Sequence, residues 1–297
     1  MLRASYNMAD SHDSGSGAYP VIEEAADRLD EQHVFTTKTL GFLLHPNIPA
    51  PSANAKIADI GTGTGIWLLD LTRSLPSTCT FTGFDITPSA FPSASGAVPP
   101  NVAFRVHDML APFPAEERET YDVVAARFLS SATPRADWAA TLANLMTLLR
   151  PGGWLQWIDS CNFAVYNSVP GTSRAACREV YAGLDPLRKG DAVIGLMMRE
   201  AQDQRREEVL RGVGFVDVHE DVFSTDRLQE VEWPGLRARA TRNVMECFLG
   251  CLEGLAGTEE GSEWTRARLE RAKVEVEREI EAGVYHTLDQ VCIVGRR

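Results

Sequence analysis

The chain has 297 residues with 29 Lys and Arg against 41 Asp and Glu, a formal charge of -12, and is 44% hydrophobic and 24% charged. That is globular composition with apolar material for a substantial core, which excludes a disordered or collagen-like chain. Acidic residues exceed basic ones by six in each half, 16 against 10 up to residue 150 and 25 against 19 beyond it. Neither half therefore offers the clustered Lys and Arg that a phosphate backbone needs, and nucleic acid is not an expected partner.

No run approaches the ~18–20 apolar residues of a membrane span. The N-terminal stretch MLRASYNMADSHDSGSG lacks the apolar core of a secretory signal. The expectation is a cytoplasmic protein with no membrane partner. The six cysteines include no CxxC, and Cys247 and Cys251 lie one helical turn apart with no clustered His. Buried free thiols and no metal site are expected.

In chain order, residues 1–18 read as a disordered Gly/Ser-rich tail, and 19–52 as an N-terminal helical arm closed by the proline-rich connector PNIPAPSANA. Short apolar runs then alternate with helical stretches: strands at 56–62, 79–87, 102–109, 121–128 and 152–160, with helices at 65–75 and near 135–149. Strands separated by connections long enough for crossovers indicate an α/β fold with a parallel, doubly wound sheet. Two more strands are expected at 214–223 and 288–295. The division is then a nucleotide-binding Rossmann-like domain at 53–225, a helical insert at 226–283 and a final strand within 284–297.

The informative element is IADIGTGTGIW, residues 57–67: an apolar strand carrying Asp59, then Gly61, Thr62, Gly63 and Gly65 at a turn into a helix. Glycines there let the backbone approach a ligand and turn amide N–H groups toward an anion. A dinucleotide fingerprint would need its third glycine at position 66, which is Ile66. Asp85 ends the second strand, 20 residues beyond Gly65, where a carboxylate can accept both ribose hydroxyl protons.

The G-x-G-x-G spacing after an acidic residue resembles motif I of class I S-adenosylmethionine-dependent methyltransferases. Together with ADRLDEQHVFT (26–36), FTGFDIT, FRVHDML, YDVV and LLRPGGWLQWID, it resembles the fungal secondary-metabolite branch of that family, the umta-like type, similar in appearance to the gliotoxin-pathway N-methyltransferase. The similarity is dense from residue 19 to about 160 and thinner afterwards. It implies S-adenosylmethionine as cofactor, with Ile86 beside Asp85, Asp108 and Met109 at the adenine, and Arg127 and Phe128 at the methionine moiety. It further implies that the arm closes over the cofactor, with Gln32 and His33 on the closing face and Tyr19 or Phe35 near the adenosine or sulfonium. Plainer readings stay open beside these: a turn for the glycines, a helix cap for Asp108, a surface ion pair for Arg127, a packed amphipathic helix with His33 exposed for the arm.

A small-molecule acceptor is expected at the carboxyl edge of the sheet, under the insert. Trp157, Phe163, Tyr166, Tyr181, Trp233 and Phe248 offer aromatic surface for a flat, largely apolar molecule. Methyl transfer from a sulfonium is an in-line displacement helped chiefly by proximity in a dry cavity. A hydroxyl acceptor would gain from a base, for which His33, His286 and Asp159 are the candidates, whereas an amine or thiolate needs none. Two other classes remain: use of the sulfonium as a charge for elimination or pericyclic chemistry, and a regulatory partner protein without turnover. The acceptor, the methylated atom and the oligomeric state are not legible.

Overall fold

The computed structural model describes residues 26–92, 98–129, 138–184, 206–228, 233–256 and 263–297. The expected tail and Tyr19 lie outside them. Seven strands form one sheet: β1 (Lys56–Ile60), β2 (Thr80–Asp85), β3 (Val102–Val106), β4 (Tyr121–Arg127), β5 (Leu149–Asn167), β6 (Val216–Ser224) and β7 (Val284–Arg296). Their order is β3-β2-β1-β4-β5-β7-β6, with β1 to β5 parallel and β7 antiparallel to both β5 and β6.

β1 and β4 are almost continuously buried because helices cover both faces of the sheet, so they read as apolar runs rather than alternations. The chain builds outward from β1 through β2 and β3, then returns to β1's other side for β4 and β5. That reversal opens a crevice at the carboxyl ends of β1 and β4.

Helices α2 (Ile66–Ser74) and α3 (Trp138–Leu148) flank the parallel strands, and α5 (Arg206–Val213) leads into β6. On one face Ile57, Trp67, Leu68, Leu71, Phe81 and Ile158 pack together. On the other, Phe84, Leu142, Leu145, Leu155 and Phe215 do so.

β5 and β7 run well beyond the expected 152–160 and 288–295, paired from Trp154 with Arg296 to Asn167 with Val284. This long antiparallel ribbon overshoots the sheet edge. It is stabilised by α4 (Ala175–Gly183), α6 (Leu236–Leu255) and α7 (Arg266–Glu281), whose Val180, Tyr181, Leu252 and Val276 share a core with Val165 and Val284 of the ribbon.

Helix α1 (Ala26–Leu40) bridges the two halves. Asn243 of α6 donates to the Arg28 carbonyl (2.6 Å), and Phe35 packs against Leu228, Leu236 and Leu288. The connector after α1 is fixed by Gln156 in mid-β5, which accepts from the His45 amide (2.7 Å) and donates to the Leu43 carbonyl (2.9 Å). None of the six cysteines is in a disulfide; Cys247 is half-buried and the others are buried.

Candidate active site

The glycine loop runs from β1 into α2 directly beneath α1. Gly65 caps α2 in the left-handed region (φ 72°), and a β-carbon there would stand 2.4 Å from the Phe104 ring. Only glycine fits such a position. Thr62 anchors the loop at both ends: its amide donates to the Phe84 carbonyl (3.0 Å) and its hydroxyl to Asp59 Oδ2 (2.9 Å). The Gly63 amide donates to Asp85 Oδ2 (2.9 Å), so the last residue of β2 holds the loop. Gly83, which the sequence reading did not single out, completes this packing, since a β-carbon there would come within 2.8 Å of Thr62 and Phe104.

A chain of polar groups crosses the crevice. Arg127, at the end of β4, is almost wholly buried; its Nη2 lies 3.8 Å from Asp59 Oδ2 and its Nη1 3.3 Å from His33 Nδ1. His33 Nε2 reaches Asp70 Oδ2 on α2 at 2.9 Å. Burial pushes the Asp59 carboxyl up and the Arg127 guanidinium down, and each charge partly offsets the other's shift. Burial also lowers His33, against the opposing pull of Asp70. Within this polar network two buried atoms have no hydrogen-bond partner among the described residues: Asp59 Oδ1, an acceptor, and Arg127 Nε, a donor. Most buried polar groups are paired, and here a donor and an acceptor of opposite charge are left over in one crevice.

Helix α1 lies over the loop. Thr64 donates to Asp30 Oδ1 (2.6 Å), and Leu29 stands 3.0 Å from where a Gly63 β-carbon would be. His33 is 4% exposed, buried between α1 and α2. The exposed-histidine reading of the arm does not hold. Both ring nitrogens are engaged, which leaves no lone pair to take a proton from an acceptor. Gln32 is half-buried on the same helix, while Phe35 faces Leu228 and Leu288, not the loop.

Past the ends of β2 and β3, Ile86 is 64% exposed. Asp108 accepts the Leu110 amide (2.9 Å), and the Met109 carbonyl accepts from Asn144 (2.7 Å). Phe128 has φ 56°, an outlier for a bulky residue, with its amide on the Ile158 carbonyl (2.8 Å) at the end of β4. Backbone outliers of this kind cluster at ligand sites.

The expected acceptor residues divide. Phe163, Tyr166 and Tyr181 line one cavity of about 410 Å³ together with Arg174 and Arg178, and the Phe248 ring lies against Phe163 (5.4 Å) and Tyr181 (5.2 Å). Trp157 is not there. It is 2% exposed, stacked on Trp138 (4.8 Å), because its position on β5 faces the α3 side of the sheet. Trp233 is also elsewhere, half-exposed under Lys38, whose Nζ sits 3.0 Å from the ring centre. Asp159 is buried and accepts the Trp157 indole N–H (2.9 Å), a structural role. His286 lies behind Tyr181 (5.0 Å), and neither of its ring nitrogens has a hydrogen-bond partner among the described residues. Burial pushes it down to about 3, so it is neutral at pH 7 and a weak base.

His45, His219 and Asp221 bring donor atoms within 4.8 Å of one another. The Asn47 amide donates to His45 Nδ1 (3.1 Å), so that ring carries its proton on Nε2 and gives it to Asp221 (2.8 Å). The cluster is a hydrogen-bonded clasp fastening the α1 connector to β6. A metal-bound imidazole would need the opposite tautomer.

Residues 57–153 match the methyltransferase domain family. A Penicillium methyltransferase, grgD, is 40% identical over 46% of this chain and 50% of its own length. The N-methyltransferase tcpN of Claviceps purpurea is 28% identical over 70% of this chain and 73% of its own. The N-methyltransferase gliN of Aspergillus fumigatus is 32% identical over 44% and 46%. The chain thus spans about half the length of the first and third of these relatives. No helix among the described residues is long and apolar enough to cross a membrane.

Proposed function

We propose that this chain, which carries a Rossmann-like methyltransferase domain over residues 57–153, binds S-adenosylmethionine and methylates a small, largely aromatic acceptor. The observation that carries the reading is the unpaired couple of Asp59 Oδ1 and Arg127 Nε at the ends of adjacent strands. A buried acceptor beside a buried donor suits a zwitterion, and the methionine moiety presents an ammonium for the first and a carboxylate for the second. Gly61, Gly63 and Gly65, all at positive φ, bring no side chain of their own to the loop, and Leu129, Leu29 and Phe104 stand where their β-carbons would be. Asp85 takes the ribose hydroxyls and Asp108 the adenine amino group, with Ile86 and Met109 as apolar neighbours. Phe128 stands beside the methionine moiety.

When bound, S-adenosylmethionine supplies an electrophilic methyl group on a cationic sulfonium. The chain's part is to orient the acceptor and exclude water. Helix α1 shuts Asp59 and Arg127 from solvent, so ligand entry requires it to lift and its return closes the site; Gln32 travels with it. Phe163, Tyr166, Tyr181 and Phe248 offer aromatic surface to the acceptor, and Arg174 and Arg178 give that cavity polar anchors. The cavity begins at Phe163, five residues beyond the Ile158 that pairs with Arg127. At strand rise that is about 16 Å, so an acceptor touching both ends is elongated. The N-methyltransferase names of two relatives make an amine the first acceptor atom to try.

Calorimetry with S-adenosylhomocysteine on the full chain tests the cofactor reading: one-site binding is expected, and no heat with either that ligand or S-adenosylmethionine refutes it. Incubation with methyl-labelled S-adenosylmethionine and aromatic amines then tests transfer. A product of unchanged formula, formed without S-adenosylhomocysteine, would move the reading to elimination or pericyclic chemistry.

A further inference from the structure

We propose that Asp70 and His33 are a positioning pair that sets the Arg127 guanidinium for the carboxylate of the cofactor's amino-acid end. The inference rests on the cofactor reading above and adds to it two residues that do not themselves touch the ligand.

The argument is one of hydrogen-bond direction. Arginine has donors and no acceptor, so the contact of Arg127 Nη1 with His33 Nδ1 (3.3 Å) exists only while Nδ1 carries no proton. The ring proton then sits on Nε2, where Asp70 Oδ2 accepts it at 2.9 Å. The other oxygen of Asp70 is taken by Arg73 (2.5 Å), which fixes which edge of the carboxylate faces the ring. The carboxylate therefore selects the Nε2–H tautomer, and that tautomer gives Arg127 an acceptor for Nη1. With Nη2 turned toward Asp59 at ion-pair distance (3.8 Å), the guanidinium is held from two sides, and Nε has no hydrogen-bond partner among the described residues. Without Asp70 the ring can carry its proton on Nδ1, which would place a donor against a donor and turn Arg127 away.

The three residues come from three elements: His33 from α1, Asp70 from α2 and Arg127 from β4. Seating of the arm and orientation of the guanidinium are thus one event. Lifting α1 withdraws His33 and frees Arg127, and its return rebuilds the chain. A packing role alone would not require the matched polarity at each step.

Two ligands separate this role from general support of the site. S-adenosylhomocysteine has the amino-acid end, and 5′-methylthioadenosine keeps the nucleoside and thioether but lacks it. Asp70→Ala and His33→Phe should weaken S-adenosylhomocysteine about 10- to 150-fold, the range for a bond to a charged group, and change 5′-methylthioadenosine less than about twofold. Asp70→Asn, whose amide oxygen can still accept from Nε2, should recover much of the loss. Equal loss for both ligands, or none for either, overturns the proposal. Nitrogen-15 spectra of the His33 ring, recorded without ligand, provide a second measurement. The wild type should show the Nε2–H tautomer and Asp70→Ala a mixture; an Nδ1–H ring in the wild type also overturns the proposal. A wild type that binds neither ligand removes the cofactor reading itself, and the ring spectra still decide whether Asp70 sets the tautomer.

Discussion

The Gly63 amide donates to Asp85 Oδ2 over 2.9 Å, so one carboxylate both closes the glycine loop and ends β2 at the mouth of the crevice. Its other oxygen accepts the Thr87 amide (3.2 Å). A carboxylate has about four acceptor sites, so two backbone bonds leave room for a pair of ribose hydroxyls. Asp85→Ala should weaken S-adenosylhomocysteine about 150-fold or more in calorimetry, two bonds to a charged acceptor being worth at least about 3 kcal/mol together. A change below about threefold would take Asp85 out of the site.

Gly65→Ala tests the loop from the steric side. The residue must hold φ 72° with a β-carbon placed 2.4 Å from Phe104. The left-handed conformation costs about 1–2 kcal/mol for a residue with a side chain, and overpacking about 1–3 kcal/mol more. Urea denaturation should show a loss of about 2–5 kcal/mol. Phe104→Ala on that background should relieve the overpacking contribution without restoring cofactor affinity. Wild-type stability in Gly65→Ala would mean that the loop adopts another conformation.

These two sites mark what the sequence discloses. The glycine spacing, Asp85 and the five parallel strands are local patterns, and the loop, Asp85 and the strands stand where those patterns place them. The lengths of β5 and β7 were hidden because their ladder joins residues more than a hundred positions apart, and polar Asp159, Ser160, Asp289 and Gln290 interrupt both apolar runs. Whether His33 is exposed or on the closing face stayed open because a helical period shows which face of α1 is apolar, not that α2 brings Asp70 to its polar edge. Trp157 was misplaced for a related reason: strand alternation gives two faces, and only the packed α3 shows which one meets Trp138.

His286 predicts an acid sensitivity. Its folded value of about 3 lies below the unfolded 6.5, so between these pH values the unfolded chain binds the extra proton. Stability from this group is unaffected above pH 6.5 and falls as pH drops, by up to about 1.4 kcal/mol per pH unit. His33, also lowered, adds in the same direction. His286→Phe should flatten the pH dependence of the unfolding free energy between pH 6.5 and 5. An unchanged slope would show that the ring reaches water or a partner in solution.

Glu279 makes the complementary prediction for the helical lobe. Its carboxylate, 7% exposed on α7, accepts the Ala176 (3.1 Å) and Cys177 (3.0 Å) amides at the start of α4 and the Ser173 hydroxyl (2.7 Å). Burial pushes the carboxyl up, but these hydrogen bonds outweigh it and hold the group below its ordinary value. The stabilisation is therefore complete above the ordinary glutamate range and disappears as pH falls through the lowered folded value. Glu279→Ala should cost about 2–3 kcal/mol at pH 7, as for charge-assisted bonds to the first amides of a helix, and progressively less as pH falls through the lowered folded value. Cys177 offers a second readout. Burial and the adjacent carboxylate push its thiol up to about 12, so it should alkylate very slowly in the wild type and faster in the variant. A variant with wild-type stability and an equally inert thiol would show that apolar packing alone holds α4 to α7.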